Sequence, residues 1–166
     1  MLRLQHLITT LNLQPHPEGG FFAETYRSAL LVDTPTGPRP ASTAIYFLLT
    51  PGSFSAFHRI AFDECWHHYE GDPVHIHVLH TQGRYEQLAL GPLNHVGQAP
   101  QAMVPGGAWF ASHLEPPAGP PAAGYALVGC TVAPGFCFED FELAERAALQ
   151  EAYPAQAALI ERLTRI

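Results

Sequence analysis

Basic residues are scarce in this chain. Its 166 residues contain only eight Lys and Arg against 15 Asp and Glu, which gives a formal net charge of −7 with His uncharged. A negative surface repels the phosphates of nucleic acids and the headgroups of anionic lipids. We therefore expect neither nucleic acid nor a membrane surface as a partner. No apolar run approaches the length of about 20 residues that spans a bilayer.

Cysteine is scarce as well. Cys65, Cys130 and Cys137 are odd in number and lack C-x-x-C spacing, so we expect neither a disulfide framework nor a thiolate zinc site. The N-terminal stretch is interrupted by polar residues and offers no small-residue cleavage site, which argues against a signal peptide. These features favour a cytoplasmic protein.

Charged side chains of both signs are also few. They make up 14% of the chain, against about 25% in an average globular domain. Hydrophobic residues make up 47%. This balance favours a large buried core, and the length predicts a single domain over residues 1–166.

Short apolar or alternating segments, separated by turn residues, fill the middle of the chain. Such spacing is typical of an antiparallel sandwich or barrel, so the predicted fold class is mainly β. The predicted strands are Phe21–Ser28, Thr43–Leu49, Phe54–His58, Glu64–Tyr69, Val74–His80, Arg84–Ala89, Gln101–Val104, Trp109–Ser112 and Tyr125–Val132.

Helical spacing occurs near the two ends. Apolar residues recur every three or four positions over residues 2–12, which predicts an amphipathic N-terminal helix. The same spacing over residues 141–163, interrupted by a proline, predicts two short C-terminal helices. Proline and glycine predict surface loops at residues 34–41 and 115–121.

Titratable side chains are concentrated between large apolar residues in the segment Ser53–Gly71. Polar groups held among hydrophobic side chains need partners or a ligand, so this segment is the expected site of chemistry. Its polar members are His58, Arg59, Asp63, Glu64, His67 and His68. On a strand that starts at Glu64, alternation places Trp66 and His68 on the same, barrel-facing side.

Two spacings in the chain match a known pair of motifs. Glu64 precedes Gly71 in the order E-x6-G, and Pro105-Gly106-Gly107 fits a P-x-G turn. With the segments P-H-P-E-G-G-F-F-A-E-T-Y-R and L-V-G-C-T-V-A-P-G-F, the chain resembles the small single-domain cupins grouped as a domain of unknown function. The resemblance extends from about Leu4 to Leu163. It implies a double-stranded β-helix, or jelly roll, whose barrel mouth holds a small ligand, and it implies a homodimer.

The chain departs from the full cupin motifs at the metal ligands, which are three His and one Glu. His58 and Glu64 match two of these positions, whereas Ile60 and Phe110 stand at the second and third His. We therefore expect no resident cofactor, since a catalytic metal needs at least three protein ligands. In this respect the chain is similar to the metal-free sugar-nucleotide epimerases of the superfamily, the dTDP-sugar 3,5-epimerases, which keep one His as base.

The first functional hypothesis is an isomerase-like enzyme that acts on a small polar metabolite, sugar-like or carboxylate-bearing. His58 is expected to take a proton from a carbon next to a carbonyl, near Glu64, while Arg59 holds an anionic group and Tyr46 returns the proton. The competing interpretation of Arg59 is an ion pair with the neighbouring acidic residues. The competing interpretation of Tyr46 is packing in the core. The expected ligand contacts are Phe57, Trp66, His68, His77, Trp109 and Phe110.

Two other hypotheses stay open. A divalent metal held by His58, Glu64 and His68 would make the chain a metal-dependent oxygenase or isomerase. His75 and His77, two apart on one strand face, are substitute ligands, although H-x-H alone is a weak signal. A jelly roll can also serve as a non-catalytic binding module.

Overall fold

Antiparallel strands dominate the structure, a computed structural model that describes residues 2–93, 96–114 and 123–165. The helices are α1 (Leu2–Thr10), α2 (Arg146–Ala152) and α3 (Ala157–Arg162), with single 3-10 turns at Phe138–Asp140 and Pro154–Gln156. The strands are β1 (Gln14–Pro15), β2 (Phe21–Arg27), β3 (Leu31–Thr34), β4 (Gly37–Pro40), β5 (Thr43–Leu49), β6 (Phe54–Arg59), β7 (Asp63–Gly71), β8 (Val74–Leu79), β9 (Tyr85–Leu90), β10 (Gln101–Val104), β11 (Trp109–Leu114), β12 (Ala126–Ala133) and β13 (Glu142–Leu143).

Two sheets pack face to face around the main core. One has six strands in the order β1-β2-β5-β12-β7-β10, and the other has five in the order β13-β6-β11-β8-β9. Phe47, Trp66 and Phe110 are buried between the sheets. Their chain neighbours point to the outer faces because side chains alternate along a strand. The predicted mainly-β jelly roll is confirmed.

Helices cover both outer faces. Leu7 of α1 packs with Leu48 and Leu127 outside the six-stranded sheet. Ile160 of α3 packs with Phe57 outside the five-stranded sheet, and burying one such side chain stabilises the fold by about 1.5–3 kcal/mol. The N-terminal helix and the two short C-terminal helices are therefore confirmed. No helix in the described parts of the chain is long and apolar enough to cross a membrane.

The start of the C-terminal helices was predicted too early. Glu142 and Leu143 do not continue a helix from Phe141 but pair with β6. Helix α2 begins only after Glu145, whose carboxylate accepts hydrogen bonds from two backbone N–H groups of the first turn. Capping of free N–H groups by an acidic side chain fixes this start.

A further prediction about the N-terminal half is wrong. Residues 34–41 do not form a loop: strands β3 and β4 make a hairpin, in which the prolines of β4 are tolerated because it is an edge strand. A bulge at Thr25 shifts the register of β2 against β5, so Glu24 and Tyr26 lie on opposite faces of the sheet. The predicted loop at 115–121 lies outside the described residues.

The glycine of the E-x6-G spacing gives a stability prediction. Gly71 has a φ of +99°, and a Cβ there would overlap the backbone carbonyl of Tyr125. Gly83, in the β8–β9 turn, has a φ of +79° but open space around it. We expect Gly71→Ala to lower the free energy of unfolding by at least about 2 kcal/mol more than the matched control Gly83→Ala, which carries only the cost of a positive φ. Urea unfolding measures both, and equal losses would contradict the overlap.

Candidate functional site

A cavity lies between the two sheets beside the segment 134–141. Its cavity volume is about 60 Å³. Its walls are mainly phenylalanine and aliphatic side chains, the usual lining of a small-molecule site. Its polar lining consists of His16, Glu18, Glu24, Thr43, His58, Glu64 and Cys130.

A buried carboxyl–imidazole pair forms one wall of the cavity. Glu18 Oε2 lies 3.0 Å from His58 Nε2, and both side chains are more than nine-tenths buried. The other ring nitrogen, His58 Nδ1, lies 2.7 Å from the carbonyl oxygen of Ala56. A carbonyl only accepts, so Nδ1 carries a proton. The hydroxyl of Ser55 donates to Glu18 Oε1 at 2.9 Å.

This pair shares one proton. Burial, and then the nearby charge of Glu64, raise the pKa of Glu18 well above its usual value, and burial lowers the pKa of His58 to about 3. Desolvation disfavours both charged forms. The neutral carboxyl of Glu18 therefore donates to His58 Nε2, and both nitrogens of the imidazole are engaged by the protein.

The turn before β2 aims Glu18 into the cavity. Gly19 and Gly20 have φ values of +116° and +69°, which glycine adopts without the steric cost of a side chain. The carbonyl of Glu18 accepts from the Ala56 N–H at 2.9 Å. It also accepts from the guanidinium of Arg165, at 3.2 Å and 3.0 Å. These contacts fix the backbone that carries the carboxyl group.

His16 belongs to the same wall. Its Nδ1 accepts from the backbone N–H of Glu18 at 3.3 Å, and its ring meets Phe22 edge to face at 4.6 Å. Burial lowers the pKa of His16 to about 4, so the ring is neutral at physiological pH. Sequence reasoning missed His16 and Glu18, although the polar P-H-P-E run before two glycines was a usable signal.

Glu64 lines another part of the cavity. It is 7% exposed, and burial raises its pKa to about 7 against the opposing effects of Cys130 and Trp66. The indole N–H of Trp66 lies close to Glu64. This N–H is buried and makes no hydrogen bond of normal geometry. Glu64 is thus a carboxyl group that changes charge near neutral pH.

The residues at the expected metal positions do not fit a metal centre. Ile60 and Phe110 are 6% and 1% exposed, and the Phe110 ring fills the space beside His58 at a centroid distance of 4.0 Å. His68, on the inward face as predicted, lies beyond the cavity with Nε2 3.2 Å from the carbonyl of Asp72. Within the described ranges no three His, Cys, Asp or Glu side chains are grouped to hold a metal ion.

Trp66 and Phe110 lie in the layer between the sheets. Three other candidates lie on the outside of the five-stranded sheet. Arg59 is partly exposed, its Nε donates to Glu142 at 2.7 Å, and its guanidinium stacks on Trp109 at 4.6 Å. Phe57 and Trp109 pack against the C-terminal helices. The structure therefore does not bring Arg59, Phe57 or Trp109 to the cavity.

Tyr46 and His77 also lie away from the cavity. Tyr46 is on the outer face of the six-stranded sheet, under α1 and 6.0 Å from the ring of Tyr69. His77 is buried on the outer face of the five-stranded sheet, where it contacts Tyr85 at 2.8 Å and His113 at 3.0 Å. Of the predicted catalytic residues, the cavity holds His58 and Glu64.

Comparison with known proteins agrees with this architecture. A hypothetical protein from Leishmania major matches with a TM-score of 0.90 and 40% identity over 98% of both chains. Protein SO0799 from Shewanella oneidensis matches with a TM-score of 0.86 and 37% identity over 97% of this chain and 96% of that chain. The uncharacterized protein YML079W of Saccharomyces cerevisiae is 33% identical over 149 residues, which cover 82% of this chain and 73% of the yeast protein.

The family model described as "Cupin superfamily (DUF985)" matches residues 5–144. That match spans the strands, the glycine pair before β2 and the polar residues of the cavity. The chain therefore belongs to the DUF985 family of the cupin superfamily.

Proposed function

We propose that the cavity binds a small metabolite and catalyses proton transfer on it, as in an isomerase. The proposal depends on one observation: two proton-exchanging groups share one buried cavity. One is Glu64, with a pKa of about 7, and the other is the one-proton pair of Glu18 and His58. Groups whose environments separate their proton affinities are typical of acid–base catalysis.

The proposed reaction starts at a C–H bond next to a carbonyl group of the ligand. The Glu64 carboxylate accepts this proton, and the electron pair of the C–H bond moves to give an enol whose oxygen takes the proton of the Glu18–His58 pair. In the reverse direction the pair recovers its proton from that oxygen and Glu64 returns a proton to the same carbon. Where that carbon carries a hydroxyl group, the intermediate is an enediol: the pair then takes the proton of this second hydroxyl, and Glu64 protonates the former carbonyl carbon. Protons and electrons balance without an added reactant.

This mechanism assigns His58 a different role from the expected base. Both of its ring nitrogens are engaged, by Glu18 and by the Ala56 carbonyl. His58 therefore acts as a positioning residue that holds the carboxyl proton of Glu18. Glu64 replaces it as the group that contacts the carbon-bound proton.

We expect Glu64→Gln to abolish exchange of carbon-bound hydrogen. The wild-type protein is incubated in D₂O with a panel of ketoses, aldoses, keto acids and amino ketones, and deuterium incorporation is followed by mass spectrometry. Loss of a general base lowers the rate about 10²–10⁴-fold. The rate of the wild-type protein should rise with pH around a midpoint of about 7, as Glu64 loses its proton.

Glu161→Gln is the matched control, because it makes the same substitution at an exposed position of α3. It should retain the wild-type rate. Exchange that survives in Glu64→Gln would contradict the assignment of the base. Binding of a panel compound without any exchange would favour the non-catalytic module instead.

The state of His58 is measurable without a substrate. In ¹⁵N-labelled protein, two-bond proton–nitrogen spectra should show His58 as a neutral ring protonated on Nδ1, and it should stay neutral until the pH falls towards about 3. The signal is assigned by its loss in His58→Gln. Titration of this ring near the ordinary value of about 6.5 would contradict a shared proton.

A homodimer is a separate prediction, which rests on the resemblance to the small single-domain cupins. Native mass spectrometry of the untagged protein should give twice the chain mass of 18.1 kDa. The outer face of the six-stranded sheet offers exposed apolar side chains for such a contact, among them Met103 and Tyr69, each 54% exposed. A single-chain mass at micromolar concentration would count against the homodimer.

A further inference from the structure

Three phenylalanines surround the mouth of the cavity. Phe136, Phe138 and Phe141, here called the phenylalanine triad, all line it. Their ring centroids lie 5.0, 6.3 and 6.1 Å apart, with interplanar angles of 79°, 73° and 72°. The three rings therefore pack edge to face, so their planes point in different directions beside the cavity. Phe138 is 55% exposed, so the triad reaches solvent.

The acidic side chains of the cavity have no basic partner in its described lining apart from the Arg27 contact at Glu24. Glu18, Glu24 and Glu64 line it, and its described lining contains neither Lys nor Arg. Arg27 reaches the rim, but its guanidinium donates to both carboxylate oxygens of Glu24, at 2.9 Å and 2.6 Å. A third bond, of 3.1 Å, goes to the carbonyl of Phe136. The positive charge at the rim is therefore already paired.

Ring faces and carboxyl groups favour the same kind of ligand. An aromatic ring carries negative charge on its face and attracts ammonium groups, most strongly where water is excluded. A carboxylate-bearing ligand would meet the Glu64 carboxylate, while the described lining offers no free cation to hold it, since Arg27 is already paired with Glu24. The Arg59 guanidinium, expected to hold such an anion, lies outside the barrel.

We infer that the ligand of this cavity is a small organic cation, of the ammonium or methylated-ammonium class, whose charge lies against the phenylalanine triad with Glu64 nearby. The inference rests on the proposed function in so far as this cavity is the ligand site. It deepens that proposal by assigning the substrate class, and it replaces the carboxylate-bearing metabolite expected from the sequence.

The test compares two probes of the same shape. Choline carries a quaternary ammonium, and 3,3-dimethyl-1-butanol is its neutral isostere. Calorimetric titration of the wild-type protein at pH 8 should give at least about tenfold tighter binding of choline. Equal or tighter binding of the neutral isostere would overturn the inference, and so would the absence of binding by both probes.

A substitution in the triad separates ring attraction from apolar contact. Phe138→Leu keeps an apolar side chain but removes the ring face, so choline should bind about three- to tenfold more weakly while the isostere changes less than twofold. Tyr26→Leu is the matched control, since Tyr26 is 54% exposed and lies on the outer face of its sheet. An equal loss for both probes in Phe138→Leu would contradict a cation site.

The pH dependence of choline affinity gives a second, independent readout. Glu64 faces Glu18 and His16 from the turn before β2, His58 from β6 and Cys130 from β12. A bound cation stabilises the Glu64 carboxylate, so choline affinity should rise as the pH passes through about 7, and Glu64→Gln should remove this rise. A pH-independent affinity would contradict the contact with Glu64.

The two proposals fail in different experiments. Absence of deuterium exchange would refute proton transfer but leave the ratio of choline to isostere affinity unchanged, because that ratio compares two ligands of one cavity. Binding of choline no tighter than that of its neutral isostere would refute the assignment of a cationic ligand. Deuterium exchange on a neutral carbonyl compound would still support proton transfer.

Discussion

The cavity depends on the removal of Glu18 and His58 from water. Neither side chain can keep its charge at low cost in this position, so each satisfies the other by sharing one proton over 3.0 Å. The arrangement needs the N-terminal turn, strand β6 and the C-terminal segment at the same point, because Ser55, Ala56 and Arg165 all bind Glu18. The strands of the jelly roll form most of the cavity wall. The Glu18–His58 contact fixes the part of the wall at which acid–base chemistry is proposed.

Desolvation also determines which group changes charge. It raises the pKa of Glu18 and Glu64 and lowers the pKa of His16 and His58. Glu18, His58 and His16 are consequently neutral at physiological pH, while Glu64 titrates near it. One negative charge can therefore be gained or lost in a cavity whose other polar groups are fixed, as a proton-transfer step or a bound cation requires.

Sequence reasoning predicted the fold better than the site. Strands with a period of two and glycine or proline turns are local features, so nine of the 13 described strands were located. The β3–β4 hairpin was hidden by its prolines, and the two-residue strands β1 and β13 were too short to show a pattern. Motif spacing located His58 and Glu64. It did not separate them from Phe57 and Arg59, although an inward His58 requires its two chain neighbours to face outward. Glu18 and His16 were missed because their orientation depends on backbone angles at Gly19 and Gly20 and on a tail residue distant in sequence.

The contact between Arg165 and the Glu18 carbonyl joins residues 147 positions apart. A ribosome releases the N-terminal turn long before it releases Arg165, so during synthesis the barrel strands have time to pair while this turn still lacks its last partner. Contacts between such distant residues form late, because a long chain must first be ordered. The turn that carries Glu18 is therefore expected to be among the last parts of the fold to be completed, because its contact with Arg165 waits for the C-terminal segment to dock.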